Sequence, residues 1–169
     1  MTYEYDYLVL GSGIAGLVFA LQAATKGKVA VVTKRNLNDC NTEYAQGGIA
    51  AVLDAGDTFA EHIEDTFNAG AELGKKQVIR QIIEQGPKLI QYLVDLGTDF
   101  TRRDDSYDRR LENLSLTMEG GHTHRRVAYA ADSTGHQILD ALIQQCIANK
   151  AIDIYEHRIA VDLITQHHV

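Results

Sequence analysis

An α/β fold built on a mainly parallel, three-layer sheet is what this sequence predicts, and three observations predict it. An apolar run, Tyr7 to Leu10, leads directly into Gly11, Ser12, Gly13, Ile14, Ala15 and Gly16. Apolar residues then recur at Ile14, Leu17, Val18, Leu21 and Ala24, the spacing of one helix face, up to Gly27. A second β-branched run follows at Val29 to Val32, so the unit reads strand, turn, helix, strand, a Rossmann-like opening.

Each glycine of the turn has a physical task. A strand ending in Gly-x-Gly-x-x-Gly turns tightly at Gly11, admits a pyrophosphate at Gly13 and lets the helix sit close to the sheet at Gly16. The helix N-terminus then offers free N–H groups and a partial positive charge to an anion. The motif therefore points to a dinucleotide, held by Gly11, Ser12, Gly13, Ile14, Ala15 and Gly16. A nicotinamide dinucleotide usually meets an acid about 20 residues past the glycines. Thr33, Lys34 and Arg35 stand there instead, and Lys34 could pair with a 2′-phosphate or lie along an adenosine, so charge alone leaves the dinucleotide open.

Further along, Thr58 and Glu61 have capping-box spacing ahead of Phe59, Ile63 and Phe67, and Gly70 closes that helix. Val78, Ile79, Ile82 and Ile83 predict a second helix ended by Gly86. Pro87 then opens a third, with Leu89, Ile90, Leu93 and Val94 inward, before Gly97. All three are expected to serve packing rather than chemistry. Arg102 to Asn113 reads as a charged loop, and Leu114 to Tyr129 as strand or turn. Asp132 or Ser133 is placed to cap a helix with the apolar stripe Ile138, Leu139, Leu142, Ile143 and Cys146, a contribution of about 1 kcal/mol. Ile152, Ile154, Ile159, Val161, Leu163 and Ile164 predict one or two final strands.

A second glycine-rich segment runs from Asn41 through Thr42, Glu43, Tyr44, Ala45, Gln46, Gly47 and Gly48 to Val52. Paired glycines clear side chains from one face, while Thr42 and Gln46 supply donors and acceptors. Further blocks follow in order: Glu64-Asp65-Thr66 with Ala69-Gly70, Glu119-Gly120-Gly121-His122, Arg125-Arg126, and Ala130-Ala131-Asp132-Ser133-Thr134-Gly135. Together they resemble the L-aspartate oxidases, of the superfamily of succinate dehydrogenase and fumarate reductase flavoproteins. The resemblance implies FAD as the dinucleotide, contacted by residues 11–16, Lys34 and residues 41–48. Relatives in the superfamily that bind flavin covalently carry a histidine where this chain has Asn41. An amide is no nucleophile, so FAD is expected to be noncovalent. The aspartate oxidases more often have serine there, and asparagine is a departure.

Glu119 precedes two glycines, so its carboxylate projects from a turn and would attract an ammonium. The resemblance gives the matching glutamate the orientation of an amino-acid substrate. It further implies oxidation of L-aspartate to iminoaspartate, with oxygen or fumarate as acceptor, hand-over to quinolinate synthase, and a place in NAD biosynthesis. The family's basic catalytic residues lie in regions with no counterpart here, so no catalytic residue is assigned. Residues 1–169 are expected to be the N-terminal part of an FAD-binding domain, incomplete at its C-terminal end, without the capping and helical domains and inactive alone. Two other readings remain: a soluble fumarate reductase-like flavoprotein, and a non-catalytic nucleotide-binding module.

Bulk properties narrow the partners. With 169 residues and 45% hydrophobic content the chain can bury a core. No run of about 18 apolar residues predicts a membrane span, and the acidic start with Glu4 and Asp6 is not a secretory signal. A net charge of −7 argues against nucleic acid, and the pairs Arg102-Arg103 and Arg109-Arg110 are interleaved with Asp104, Asp105 and Asp108. Cys40 and Cys146 lack a Cys-x-x-Cys pairing and are expected to be free thiols in a reducing cytoplasm. On a strand, His122 and His124 would share a face, yet no third ligand stands at a helpful spacing, so no metal is expected.

Overall fold

A computed structural model describes residues 2–103 and 110–165. In chain order the elements are β1 (Tyr7–Leu10), α1 (Ile14–Ala23), β2 (Val29–Val32), β3 (Ile49–Ala50), α2 (Phe59–Ala69), α3 (Lys76–Leu96), a 3-10 turn (Leu111–Asn113), β4 (Leu116–Thr117), β5 (Val127–Ala128), α4 (Thr134–Ala148) and β6 (Ile152–Tyr155). They form two compact units, residues 1–44 with 138–169 and residues 45–137. The α/β class and the parallel sheet with helices are as the sequence predicts.

In the first unit β2 is the central strand, parallel to β1 on one side and to β6 on the other. Val9, Val31 and Ile154 align across the sheet. Val29, Ala30 and Val31 are buried, as expected of a central parallel strand covered on both faces. Helix α1 packs on β1 and β2 through Leu17, Ala20 and Ala23. The predicted stripe of α4 is buried at Ile138, Leu139, Leu142 and Cys146, and the Cys146 thiol lies 3.8 Å from the Leu17 carbonyl. The outward face of β1 carries Leu8 and Leu10, 58% and 60% exposed.

The second unit holds a small antiparallel sheet ordered β3-β5-β4, with Ile49 opposite Ala128 and Thr117 opposite Val127. Helices α2 and α3 pack against each other, with Ile63, Ile83, Ile90, Leu93 and Val94 buried. Thr58 is the N-cap as read: its hydroxyl accepts the Glu61 N–H at 3.2 Å and donates to the Glu61 carboxylate at 2.7 Å, while the Thr58 N–H donates to Asp57 Oδ1 at 2.8 Å instead of closing the box on Glu61.

Two element predictions are corrected. Residues 76–96 form one helix with Pro87 inside it, not two helices split at Gly86. A proline pushes its predecessor out of the helical region through clashes with that residue's N–H and Cβ, and Gly86 lacks the Cβ. The same missing Cβ lets α3 pass Ala51, whose Cβ would stand 3.1 Å from a side chain there. Ile83 and Ile90 therefore continue one buried stripe across the proline. The second correction concerns the C-terminal run. Only Ile152–Tyr155 is a strand. Ile159, Val161, Leu163 and Ile164 are 70–92% exposed and pair with no strand among the described residues. Apolar alternation creates a strand only where a ladder of backbone partners exists. Part of the predicted charged loop, Asp104 to Arg109, lies outside the described residues, as do His167 and His168.

Candidate functional site

Site residues fall in both units, and each half has its own construction. In the first unit Gly11 ends β1 with φ +107°, a left-handed turn open to glycine at no steric cost. A Cβ on Gly16 would stand 2.3 Å from the Gly11 carbonyl oxygen and 3.2 Å from Val9 Cγ1, so the third glycine is what allows α1 to close on β1. Gly13 is the N-cap of α1 and supplies no side chain to cap it. A Cβ there would meet only Thr42 Oγ1, at 3.6 Å. The turn is crowded behind and open in front, which suits the approach of a phosphate to the helix N-terminus.

Around this turn the chain folds back on itself. Thr42 Oγ1 accepts the Ile14 N–H at 3.1 Å, and the Cys40 thiol lies 3.8 Å from the Ser12 carbonyl. Ser12 is buried and donates to Thr33 Oγ1 at 3.2 Å, tying the turn to the end of β2. Ala15, Lys34, Asn41 and Tyr44 are exposed, Glu43 less so. Cys40 and Cys146 are both free, and burial pushes the Cys146 thiol up to about 11.

In the second unit the rest of the glycine-rich segment, Ala45 to Gly48, is strapped to the start of α4. Thr134 Oγ1 donates to the Gly47 carbonyl at 2.8 Å and accepts the Ala130 N–H at 2.9 Å, while the Gly135 N–H donates to the Ala45 carbonyl at 2.8 Å. Gln46 and Gly47 are exposed. A Cβ on Gly48 would lie 2.4 Å from the Ala128 carbonyl oxygen, so the glycine is required where β3 meets β5. Glu119 Oε1 sits 3.7 Å from the position a Gly47 Cβ would take. The predicted substrate carboxylate and the predicted cofactor loop thus meet within one unit.

Sequence reasoning missed the buried center of this unit. Arg126 is wholly buried. Its Nε and Nη2 donate to the two oxygens of Asp57 at 2.9 and 2.8 Å, and its Nη1 donates to Asp65 Oδ2 at 2.8 Å. Asp65 Oδ2 also accepts the Thr123 N–H at 2.9 Å and its hydroxyl at 2.8 Å. Burial pushes the Asp65 carboxyl up, but the Thr123 donors and Arg126 outweigh it and hold the group below its ordinary value. Helix α2 is therefore not packing alone, as expected, but the anchor of the loop that carries Glu119. Asp65 stands in one of the resemblance blocks, which was the signal available.

The two histidines do not share a face, because residues 122–124 form a bend rather than a strand. His122 meets the buried His62 edge-on at 5.8 Å between ring centroids, while His124 Nε2 lies 3.3 Å from Glu61 Oε1. Burial, then Arg126 and His122, push His62 down to about 4. Folding also brings Asp57 and Glu61 to His124, with one ligand atom from each within 4.8 Å of the others, a trio that omits His122 and that sequence spacing concealed. Both oxygens of Asp57 are already taken by Arg126.

Among the described residues no helix is long and apolar enough to cross a membrane. Residues 6–169 match the family model described as FAD binding domain. The chain is 42% identical over 98% of its length to the chloroplastic L-aspartate oxidase 2-b of Nicotiana tabacum, and 44% identical over 96% to L-aspartate oxidase 1 of Ralstonia nicotianae. It spans 24% and 30% of those two proteins. Among solved structures it resembles an E. coli quinol fumarate reductase with a TM-score of 0.83 and 29% identity, covering 93% of this chain and 26% of that one.

Proposed function

Because this chain belongs to the FAD-binding domain family, we propose that it is the N-terminal, cofactor-holding portion of an L-aspartate oxidase. The observation that carries the reading is the Glu119 carboxylate over Gly47, an acid set against the glycine-rich loop that the resemblance assigns to the flavin. The residues suit the cofactor: a phosphate has room at Gly13, and the Gly47-Gly48 segment presents bare backbone on exposed positions. FAD, when bound, supplies the acceptor for the two electrons that leave the substrate. The chain's own residues do the holding. The α1 N-terminus attracts the pyrophosphate, residues 41–48 address the ring system, and Glu119 draws the ammonium of L-aspartate into place.

On this reading L-aspartate becomes iminoaspartate in the complete protein, oxygen or fumarate takes the electrons, and the product passes to quinolinate synthase in cytoplasmic NAD biosynthesis. Asn41 supports a noncovalent cofactor. Two measurements test the proposal. The purified protein loaded with FAD should show flavin bands that denaturant releases; flavin that stays with the denatured polypeptide overturns the noncovalent reading. Glu119→Gln in the complete enzyme should lower kcat/KM for L-aspartate about tenfold, an ionic hydrogen bond's worth, and leave fumarate reduction nearly intact. Equal losses on both substrates would remove the ammonium argument and favour a fumarate reductase-like enzyme.

A further inference from the structure

Glu119 stands on a turn that has little rigidity of its own. Glu119, Gly120 and Gly121 are exposed, and a turn bond from the His122 N–H to the Glu119 carbonyl at 3.2 Å closes it. Gly121 has φ +86°. Two successive glycines give the most freely moving backbone available, and an unrestrained carboxylate there would lose its register with the loop beneath it. The restraint comes from the foot of the turn. Thr123 gives both its N–H and its hydroxyl to one oxygen, Asp65 Oδ2. Arg126, buried and held by both oxygens of Asp57, donates to that same oxygen. Asp65 is thus a fixed post rather than a mobile side chain. Ala69, one turn further along α2, packs where a Gly121 Cβ would come within 3.3 Å, so the same helix guides the turn at a second point.

We propose that Asp65 is a positioning residue for substrate recognition, acting through Thr123 to keep the Glu119 carboxylate over Gly47. The inference rests on the reading of Glu119 as the carboxylate that orients the substrate ammonium. It adds a specificity determinant that touches neither cofactor nor substrate. The link removes a choice of conformations from Glu119, so its loss weakens an interaction made equally in ground and transition states and appears in KM rather than kcat. A dicarboxylate without an ammonium does not feel it.

The test uses the complete enzyme with Thr123→Val, Thr123→Ser, Asp65→Asn and Glu119→Gln. Thr123→Val keeps the Asp65–Arg126 pair and the backbone bond, so it folds even where Asp65→Asn does not. It should raise KM for L-aspartate about fivefold, the worth of one hydrogen bond, with kcat within about twofold and KM for fumarate unmoved. Thr123→Ser should restore the parent value. Combined with Glu119→Gln, Thr123→Val should add nothing further, because the group it positions is gone. Hydrogen exchange of the amides of residues 119–124 should quicken in Thr123→Val and not in Thr123→Ser. An unchanged KM in Thr123→Val, equal rises for aspartate and fumarate, or additive effects with Glu119→Gln would each overturn the positioning role while leaving Glu119's own role standing. A Glu119→Gln enzyme with unaltered aspartate KM would instead remove the underlying reading, and this inference with it.

Discussion

The glycine turn of the first unit and the arginine center of the second both hold a loop in place, by opposite physical means. At residues 11–16 the structure works by leaving atoms out: with no Cβ on Gly16, α1 reaches within contact of the Gly11 carbonyl, and with none on Gly13 the helix N-terminus stays open. At Arg126 it works by adding charge to the interior, one guanidinium sealed between two carboxylates. The first device costs backbone entropy and at Gly16 tolerates nothing larger than hydrogen. The second carries the desolvation of three ionised groups, which is recovered only while every hydrogen bond is made. One site is therefore sensitive to added volume and the other to any unpaired charge.

Breaking the charged center should have the largest effect. Arg126→Leu leaves Asp57 and Asp65 without their cation, and removal of one partner of a buried ion pair costs about 3 to 5 kcal/mol. Thermal unfolding should show a drop of that order, and the exchange protection of residues 119–124 should vanish with it. Glycine-turn geometry in the other unit should be unaffected, which unchanged hydrogen exchange of the amides of residues 11–17 would report.

A pH scan probes the same center more gently. Folded His62 titrates near 4, below the ordinary 6.5, because burial and Arg126 disfavour its cation. The unfolded chain therefore binds the proton first as pH falls. The contribution of neutral His62 is full above about pH 6.5, is lost between 6.5 and 4 by up to about 3 kcal/mol, and changes no further below. Asp65 and Glu61 act in a lower window: their folded values are depressed, by the Thr123 and Arg126 donors against burial for Asp65 and by the Thr58 hydroxyl and then His124 for Glu61. Their stabilisation is lost as pH falls through those values. The thermal midpoint of the parent should fall relative to that of His62→Phe as pH drops from 6.5 to 4; parallel curves would clear His62 of the decline.

The smallest effect separates the two glycines of one motif. Gly16→Ala places a methyl against backbone oxygen at 2.3 Å, so the overpacking cost of about 1 to 3 kcal/mol outweighs alanine's better helix propensity. Gly13→Ala meets only Thr42 Oγ1 at 3.6 Å and should leave the unliganded protein as stable as the parent. Both should lose FAD, measured as flavin retained after gel filtration. A Gly13→Ala protein that keeps flavin would mean that the pyrophosphate does not pass there.

Local spacing made the first region legible. The apolar run of Tyr7–Leu10, the glycine offsets, the helical stripe of α1, the Thr58 and Glu61 capping spacing and the Gly97 helix stop, at φ +108°, all act between neighbours within a few residues. Physics over so short a range is written in the order of letters. Where local rules compete, they mislead: Pro87 reads as a helix start until the absent Cβ of Gly86 is weighed, and the run from Ile159 to Ile164 reads as a strand until a partner is sought.

By itself, then, the amino-acid order determined the βαβ opening, its dinucleotide chemistry, the second glycine-rich loop and the acid at Glu119. Tertiary structure decided which polar groups are buried together. Asp57, Asp65, Thr123 and Arg126 are joined across as many as 69 positions of sequence, and Thr134 reaches back 87 to fasten Gly47. Nothing in an Asp-Thr or Arg-Arg dipeptide distinguishes a solvated charge from one sealed in the interior. Only the packing of α2 against the loop beyond β4 removes water from these groups, and desolvation is what turns ordinary surface residues into the fixed frame of a site.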